Sequence, residues 1–377
     1  MAVNKVEING VVKLDLTADT VTAAKLAQGE TAHDASGELI IGTMTAPQLH
    51  IVVTTSAGAT VTATKGSKTV SGTADASGNC TLTVDEAGTW SVVATLGATT
   101  KQQDVVVGTS SVVIEFVSAV LNDNAWETIR SVSDRGEGAN YWSIGDRKAV
   151  TLNGTVGKLS LSNVTTYAFI IGFNHNASVE GTNRIHFQLA KTALTGGMDV
   201  CLCDSSYNSK VSTTGYFSMN SSQTNAGGWE SSQMRTNICG TSLSSYSGTI
   251  IAVIPAALRA VLKSVTKYTD NIGGGSTAAS AVTATTDYFF LLSEYEVFGS
   301  ISDANSNESS KQAQYAYYSA GNSKIKYKHD GTSTVAYWWL RSPLAGYSTS
   351  FVFVDEDGAV YDSYAYFSLG FAPGFCV

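Results

Sequence analysis

Any chemistry in this chain would have to come from five cysteines, five histidines and one short acidic run. Cys80, Cys201, Cys203, Cys239 and Cys376 are an odd number in a large chain whose N-terminus, Met1-Ala2-Val3-Asn4-Lys5, has no apolar signal core, which argues against a disulfide framework. Cys201 and Cys203 are separated by one residue and not by the two of zinc and redox motifs. The alternation Cys-Leu-Cys-Asp reads as a strand with two small buried thiols. His33, His50, His175, His186 and His329 are scattered without metal-ligand spacing, and His186 alternates inside an apolar strand as a core histidine does. Gly-x-Ser-x-Gly, His-Glu-x-x-His and phosphate-loop patterns are absent. Asp355-Glu356-Asp357 offers oxygens of the kind calcium takes, although such a run more often forms a solvated turn. No catalytic residue, no metal and no cofactor is expected.

The chain does hold a recognition composition. Trp338-Trp339-Leu340-Arg341-Ser342-Pro343 and Gly370-Phe371-Ala372-Pro373-Gly374-Phe375-Cys376-Val377 bracket a stretch dominated by Tyr, Ser, Asp, Ala, Gly and Phe. Tyr supplies large contact area at low entropy cost, and Ser and Gly supply adaptable polar contacts. That pattern points to a surface presented to a partner.

The elements that must carry this surface follow from the totals. A chain of 377 residues predicts two or three domains. Only 14% of residues are charged, Gly, Ser, Thr and Ala are abundant, and Pro is scarce, which fits β-rich domains with many turns and excludes a disordered chain. The net charge of −8 and pI of about 5.1, without a basic stripe, exclude nucleic acid as a partner. Lys324-Ile325-Lys326-Tyr327-Lys328 alternates as a strand whose lysines would form a solvated face. No apolar run reaches the roughly 18 residues of a membrane span, so no membrane insertion is expected, and the chain reads as made and folded in a cytosol.

Three segments are predicted. Residues 1–46 open with strands Lys5–Ile8 and Val11–Leu16 meeting at Asn9-Gly10, a hairpin signal, followed by a short helix over Thr20–Gly29. This segment is too small to hold itself together and needs a larger structure or copies of itself. Residues 47–117 alternate in about seven short strands with Gly-bearing turns, among them Leu49–Val53, Thr60–Thr64, Cys80–Val84, Thr89–Ala94 and Ser111–Phe116, a β-sandwich spacing with Trp90 in its core. Residues 118–377 form a larger domain. It should contain helices at Trp126–Val132 and Ala256–Val265, strands at Ala168–Phe173, Ile185–Leu189 and Tyr288–Ser293, and a flexible loop at Gly273–Ser276.

Three resemblances sharpen this outline. Leu14-Asp15-Leu16-Thr17-Ala18-Asp19-Thr20-Val21, His33-Asp34-Ala35-Ser36-Gly37 and Ile41-Gly42-Thr43-Met44 resemble a short module of tailed-bacteriophage tail and fibre proteins. The middle segment is similar to a small immunoglobulin-like sandwich without the antibody Cys-Trp-Cys pattern, and reads as a spacer. Asn225–Arg235, Leu291–Val297, Tyr337–Pro343 and the Ala372–Val377 end together resemble a C-type-lectin-like domain family of gut-bacterial phages and prophages. The implied fold class is a β-rich, α+β multidomain protein: an attachment segment, an immunoglobulin-like sandwich and a C-type-lectin-like domain of the kind shared with formylglycine-generating enzymes.

Members of that lectin-like family are targets of diversity-generating retroelements, in which adenines of a template copy are miscopied and Asn codons scatter to many residues, but not to Lys, Gln, Glu, Met or Trp. The stretch Leu344–Phe371 holds no Lys, Gln, Met or Trp, and its Glu356 would have to be template-fixed. The resemblance implies a variable region over about 338–377. Its contact surface would be Tyr347, Ser348, Ser350, Phe353, Asp355, Asp357, Tyr361, Asp362, Ser363, Tyr364, Tyr366 and Phe367. Trp229, Trp338, Trp339, Arg341, Gly358 and Pro373 would be scaffold, with Gly358 in a hairpin turn after a strand Phe351–Val354 that turns one face inward and one outward.

The implied partners are a host bacterial cell-surface protein or glycan and other virion tail proteins. The implied assembly is a homotrimer located in the phage tail and synthesised in the host bacterial cytoplasm. A structural virion protein that only decorates the particle is the alternative. An enzyme of the formylglycine-generating type would need paired reactive cysteines, and Cys376 stands alone near the C-terminus.

Overall fold

The structure, a computed structural model, describes residues 2–44 and 48–377. The expected boundary at residues 46 and 47 lies outside the described residues. The chain is β-rich, with several separate sheets, and divides into two compact units.

The first unit comprises residues 1–53, 60–73 and 80–114. Its strands are β1 (Lys5–Ile8), β2 (Val11–Asp15), β3 (Thr31–His33), β4 (Leu39–Ile41), β5 (Leu49–Thr54), β6 (Thr60–Lys65), β7 (Lys68–Thr73), β8 (Asn79–Val84), β9 (Gly88–Leu96), β10 (Thr99–Val107) and β11 (Val112–Glu115). The hairpin β1–β2 forms where expected, with Asn9 and Gly10 both at positive φ, the geometry a two-residue turn needs. The helix expected over Thr20–Gly29 is reduced to a single 3-10 turn, Ala23–Lys25. The carbonyls that would have closed a helix are taken instead by the later chain: Ala23 O accepts from Thr43 N–H and Leu26 O from Met44 N–H. Val3, Ile8, Val11, Val12, Leu14, Leu39, Ile41 and Met44 are exposed and Val6, Leu16, Val21, Leu26 and Ile40 half-buried, so none of the large apolar side chains among the described residues of this opening segment is fully buried.

From β5 onward the alternation is real. Leu49, Ile51, Val53, Val61, Ala63, Leu82, Val84, Trp90 and Val92 point inward from sheets of order β10-β9-β6-β7 and β11-β5-β8. Strands β7 and β10 were not expected. They are the two edges of the four-stranded sheet, and edges carry polar residues such as Lys101-Gln102-Gln103-Asp104 that hide a strand's periodicity.

The second unit comprises residues 54–59, 74–79 and 115–377. Its strands are β12 (Arg147–Val156), β13 (Leu159–Phe173), β14 (Ile185–Lys191), β15 (Val200–Cys201), β16 (Val265–Asp270), β17 (Val282–Asp287), β18 (Phe289–Phe290), β19 (Lys326–Lys328), β20 (Gly331–Ala336), β21 (Trp338–Pro343), β22 (Ser350–Val354), β23 (Val360–Tyr364) and β24 (Gly374–Cys376). The main sheet runs β12-β13-β14-β24-β18, so the last residues of the chain form an interior strand. Every residue of β14 is buried. Trp126, from the helix Trp126–Asp134, meets Phe187 edge-on at 5.7 Å, and Phe187 stacks on Phe375 at 5.3 Å.

Several sequence expectations are corrected in this unit. The helix expected over 256–265 ends at Val261, and the β-branched run from Val265 becomes β16. The strand expected over Tyr288–Ser293 is regular only at Phe289–Phe290, although Phe289 to Ser293 are all buried. Lys326 does not join a solvated face. It is fully buried, its Nζ 4.9 Å from the Trp338 ring centroid and 5.6 Å from that of Phe169.

Candidate functional site

The Tyr-, Ser- and Asp-rich stretch forms a separate three-stranded antiparallel sheet, β21-β22-β23. Its base is apolar and closed. Trp338, Trp339, Leu340, Phe351, Val352, Val354 and Ala365 have no exposed area. The indole of Trp338 donates to Lys324 O at 2.9 Å and that of Trp339 to Phe217 O at 3.0 Å, so neither ring is free to stack on a ligand. Trp229 is equally buried, with its indole N–H on Asp287 at 3.1 Å. Pro373 is buried as well.

Arg341 anchors the sheet to a buried charge network. Its guanidinium donates to Thr269 Oγ1 at 2.7 Å, Leu291 O at 2.9 Å and Glu296 Oε1 at 3.0 Å, with a second bond to Glu296 Oε2. Lys267 Nζ lies 2.7 Å from Glu180, 2.9 Å from Glu296 and 2.8 Å from the Tyr315 hydroxyl. Burial works against the Glu296 charge, yet Arg341 and Lys267 hold its carboxyl well below the usual range. Glu296 also closes the N-terminal capping box of the helix Glu294–Phe298 with Ser293.

Two of the histidines that appear scattered in sequence meet here. His175 Nε2 is 3.5 Å and His186 Nδ1 3.7 Å from Glu180, and His186 Nδ1 is 3.2 Å from Cys376 Sγ. Ligand atoms of His175, Glu180 and Glu296 fall within 4.8 Å of one another, a spacing a metal could use. The position between the two carboxylates is already filled by the Lys267 ammonium, so the group reads as a closed ion-pair network. Burial pushes the Cys376 thiol up to about 12 and His186 well below its ordinary value, which keeps both neutral.

The outer layer of the β21-β22-β23 sheet is different. Tyr347 is 66% exposed, Tyr361 62% and Tyr364 44%, and Ser348 and Asp357 are also exposed. Asp362, Ser363, Tyr366 and Phe367 are half-buried. Tyr364, Tyr366 and Phe367 form a stacked row with centroids 5.9 and 5.5 Å apart, and Lys210 Nζ lies 5.8 Å from the Tyr366 ring. Tyr361 stands directly across from Phe353 in the β22–β23 register and meets it edge-on at 5.9 Å.

Three residues expected on the contact surface are placed otherwise. Ser350 and Phe353 are buried, because β22 is the middle strand and both of its faces are covered, against the expectation of one outward face. Phe353 packs edge-on against Tyr337, Trp339 and Tyr361 and supports the face from beneath. Asp355 spends one carboxylate oxygen on its own turn, accepting from Asp357 N–H at 3.0 Å and Ala359 N–H at 2.8 Å. Gly358 closes that turn at φ +78°, as expected of a hairpin glycine.

The residue that sets the loop between β21 and β22 is Asn225. Fully buried, it donates from Nδ2 to Tyr347 O and Ser350 O, each at 2.8 Å, and accepts from Gly274 N–H at 2.8 Å. Its own N–H reaches Ser348 O at 2.9 Å. Gly273 is required beside it, since at φ +58° a Cβ would stand 1.9 Å from Asn225 O. An Asn preceding Ala-Gly-Gly, 119 residues or more from Leu344, Tyr347 and Ser350, whose carbonyls it holds, gives no sign of this role in sequence. Asp303 is a second addition: burial, and then the nearby Asp362, raise its pKa beside the face.

The sequence matches the profile of a domain of unknown function, DUF6273, over residues 207–377. That span contains Asn225, Lys267, Glu296, Arg341 and the whole β21-β22-β23 sheet, whereas Glu180, His175 and His186 precede it. No curated protein matches the chain.

Proposed function

We propose that this chain is a bacteriophage or prophage tail-fibre receptor-binding protein and not an enzyme. In this reading the second unit is a C-type-lectin-like domain that binds a host bacterial surface protein or glycan. The face is Tyr347, Ser348, Asp357, Tyr361, Asp362, Ser363, Tyr364, Tyr366 and Phe367, diversified by a retroelement. The observation that carries the reading is the contrast within one small sheet: Tyr361 and Tyr364 on β23 and Tyr347 on the β21–β22 loop stand 44–66% exposed, over a base in which Trp338, Trp339, Phe351, Val352 and Val354 have no exposed area. Large exposed aromatics on a rigid base are what a binding surface needs, because few side chains must be ordered when a partner arrives.

The strands from Leu49 to Glu115 would be the immunoglobulin-like spacer, and residues 1–46 the segment that joins other tail proteins in a homotrimer. The eight exposed apolar side chains of that opening segment support an assembled state. Copies on one virion would multiply a modest affinity per face.

The test is adhesion of the purified chain to panels of intact bacteria, compared with a variant carrying Tyr347→Ser, Tyr361→Ser and Tyr364→Ser. Saturable binding to some strains, lost in the variant, supports the proposal. Binding that survives in the variant, or none to any strain from the habitat of the encoding phage, favours a decorative virion protein.

A further inference from the structure

A cleft of about 420 Å³ opens on the second unit, away from the aromatic face in sequence and built from other elements. Its walls come from the end of the helix Trp126–Asp134, from residues 182–184 and from residues 262–264, with Tyr288 beside them. Three cations line it, Arg130, Arg184 and Lys263, against one carboxylate, Asp134.

That carboxylate is already shared. Arg130 Nε holds it at 2.8 Å and Lys263 Nζ at 2.7 Å. Lys263 spends its remaining donors on Ser133 Oγ at 3.0 Å and on Asn183 O, and Arg130 Nη1 is on Val261 O at 2.9 Å. Arg184 has no such partner: among the described residues its guanidinium makes no ion pair and no hydrogen bond, and its Nε and Nη1 are buried and unsatisfied. Three positive charges against one negative leave +2 in the cleft, on a chain of formal charge −8. The like charges act on one another, since Arg130 and Arg184 add to burial in lowering the pKa of Lys263.

A guanidinium with idle donors beside two further cations fits an oxyanion. Arg offers planar donors that match phosphate and carboxylate oxygens, and a local charge of +2 matches a phosphate dianion better than a single carboxylate. We propose that the Arg130–Arg184–Lys263 cleft is a phosphate-binding site in which Arg184 contacts the anion and Arg130 and Lys263 supply the field. The phosphate could be free or the monoester group of a larger molecule such as a phosphorylated sugar, and the chemistry of recognition is the same.

The experiment is calorimetric titration of the full chain with inorganic phosphate and, separately, with glucose 6-phosphate. It is repeated on Arg184→Gln, Arg184→Lys and Thr182→Asp. The expected result is saturable, salt-sensitive binding that falls about tenfold or more in Arg184→Gln and less in Arg184→Lys, as loss of one charge-assisted partner implies. Thr182 is exposed at the cleft rim, so Thr182→Asp adds a repelling charge without touching the packing and decides the matter if the Arg184 variants fail to fold. Tighter binding of the ester than of inorganic phosphate identifies a phosphorylated ligand, and the reverse identifies free phosphate. Absence of saturable binding of both, or equal binding by wild type and a folded variant, overturns the proposal.

Discussion

The Nδ2 of Asn225 lies 2.8 Å from the main-chain oxygen of Tyr347, so a side chain with no exposed area fixes the backbone of the most exposed tyrosine on the face. The proposed face is therefore held from below by a residue 122 positions away in sequence. Asn225→Ala leaves the oxygens of Tyr347 and Ser350 without their buried donor. It is expected to cost about 1–3 kcal/mol in urea denaturation, and to weaken ligand binding by loosening the Tyr347 loop. Asn225→Asp should cost more, because a carboxylate would face three carbonyl oxygens.

Stability and recognition should separate cleanly between the two layers of the sheet. Tyr347→Ala and Tyr361→Ala remove exposed rings and are expected to change stability by no more than about 0.5 kcal/mol while costing about 2 kcal/mol or more in adhesion. Phe353→Ala, directly across from Tyr361 but buried, should cost about 3–5 kcal/mol in stability. Equal stability losses at Tyr361 and Phe353 would contradict the division into face and base.

Lys326 gives a pH-dependent prediction. Burial lowers its pKa from 10.5 to about 8, its Nζ makes no hydrogen bond, and the nearest carboxylate, on Asp199, is 4.0 Å away. A folded pKa below the unfolded one means that this group's contribution to stability is present above pH 10.5 and is lost as pH falls through about 8. Lys326→Met should abolish this slope between pH 8 and 10.5, and should stabilise the protein at neutral pH by on the order of 1–3 kcal/mol despite losing the contacts with Trp338 and Phe169. Thermal melts of the two proteins across that window provide the check.

Cys376 should be inert in the native state. Its sulfur is buried against His186, and its thiol is held near a pKa of about 12. Iodoacetamide at mildly alkaline pH is expected to leave it unmodified until the protein is unfolded, as read by mass spectrometry. Rapid native alkylation would reopen the possibility of thiol chemistry.

The periodicity of Leu49–Val53 and Cys80–Val84, the Asn9-Gly10 turn and the Gly358 turn could all be read from sequence, because each depends on local alternation or on a positive φ. The burial of Trp229, Trp338 and Trp339 agrees with the scaffold role that the resemblance implies for them. What escaped depends on distant partners. Phe353 and Ser350 were expected on the contact surface, yet β22 is covered on both sides and buries both. Lys326 looks solvated by type, yet two aromatic rings enclose it. His175 and His186 look unrelated, yet Glu180 joins them. Arg184, idle in its cleft, carries no sequence signal at all.

The most direct measurement of the central claim is deep sequencing of the encoding locus in a growing phage or lysogen population, together with a search for a nearby template copy of the 338–377 coding stretch. The expected result is a template and substitutions confined to its adenines, falling on Tyr347, Ser348, Asp357, Tyr361, Asp362, Ser363, Tyr364, Tyr366 and Phe367. Trp338, Trp339, Arg341 and Phe351 to Val354 should be spared, because those side chains are buried. An invariant stretch with no template, or substitutions spread equally over the buried positions, would contradict a diversified binding face.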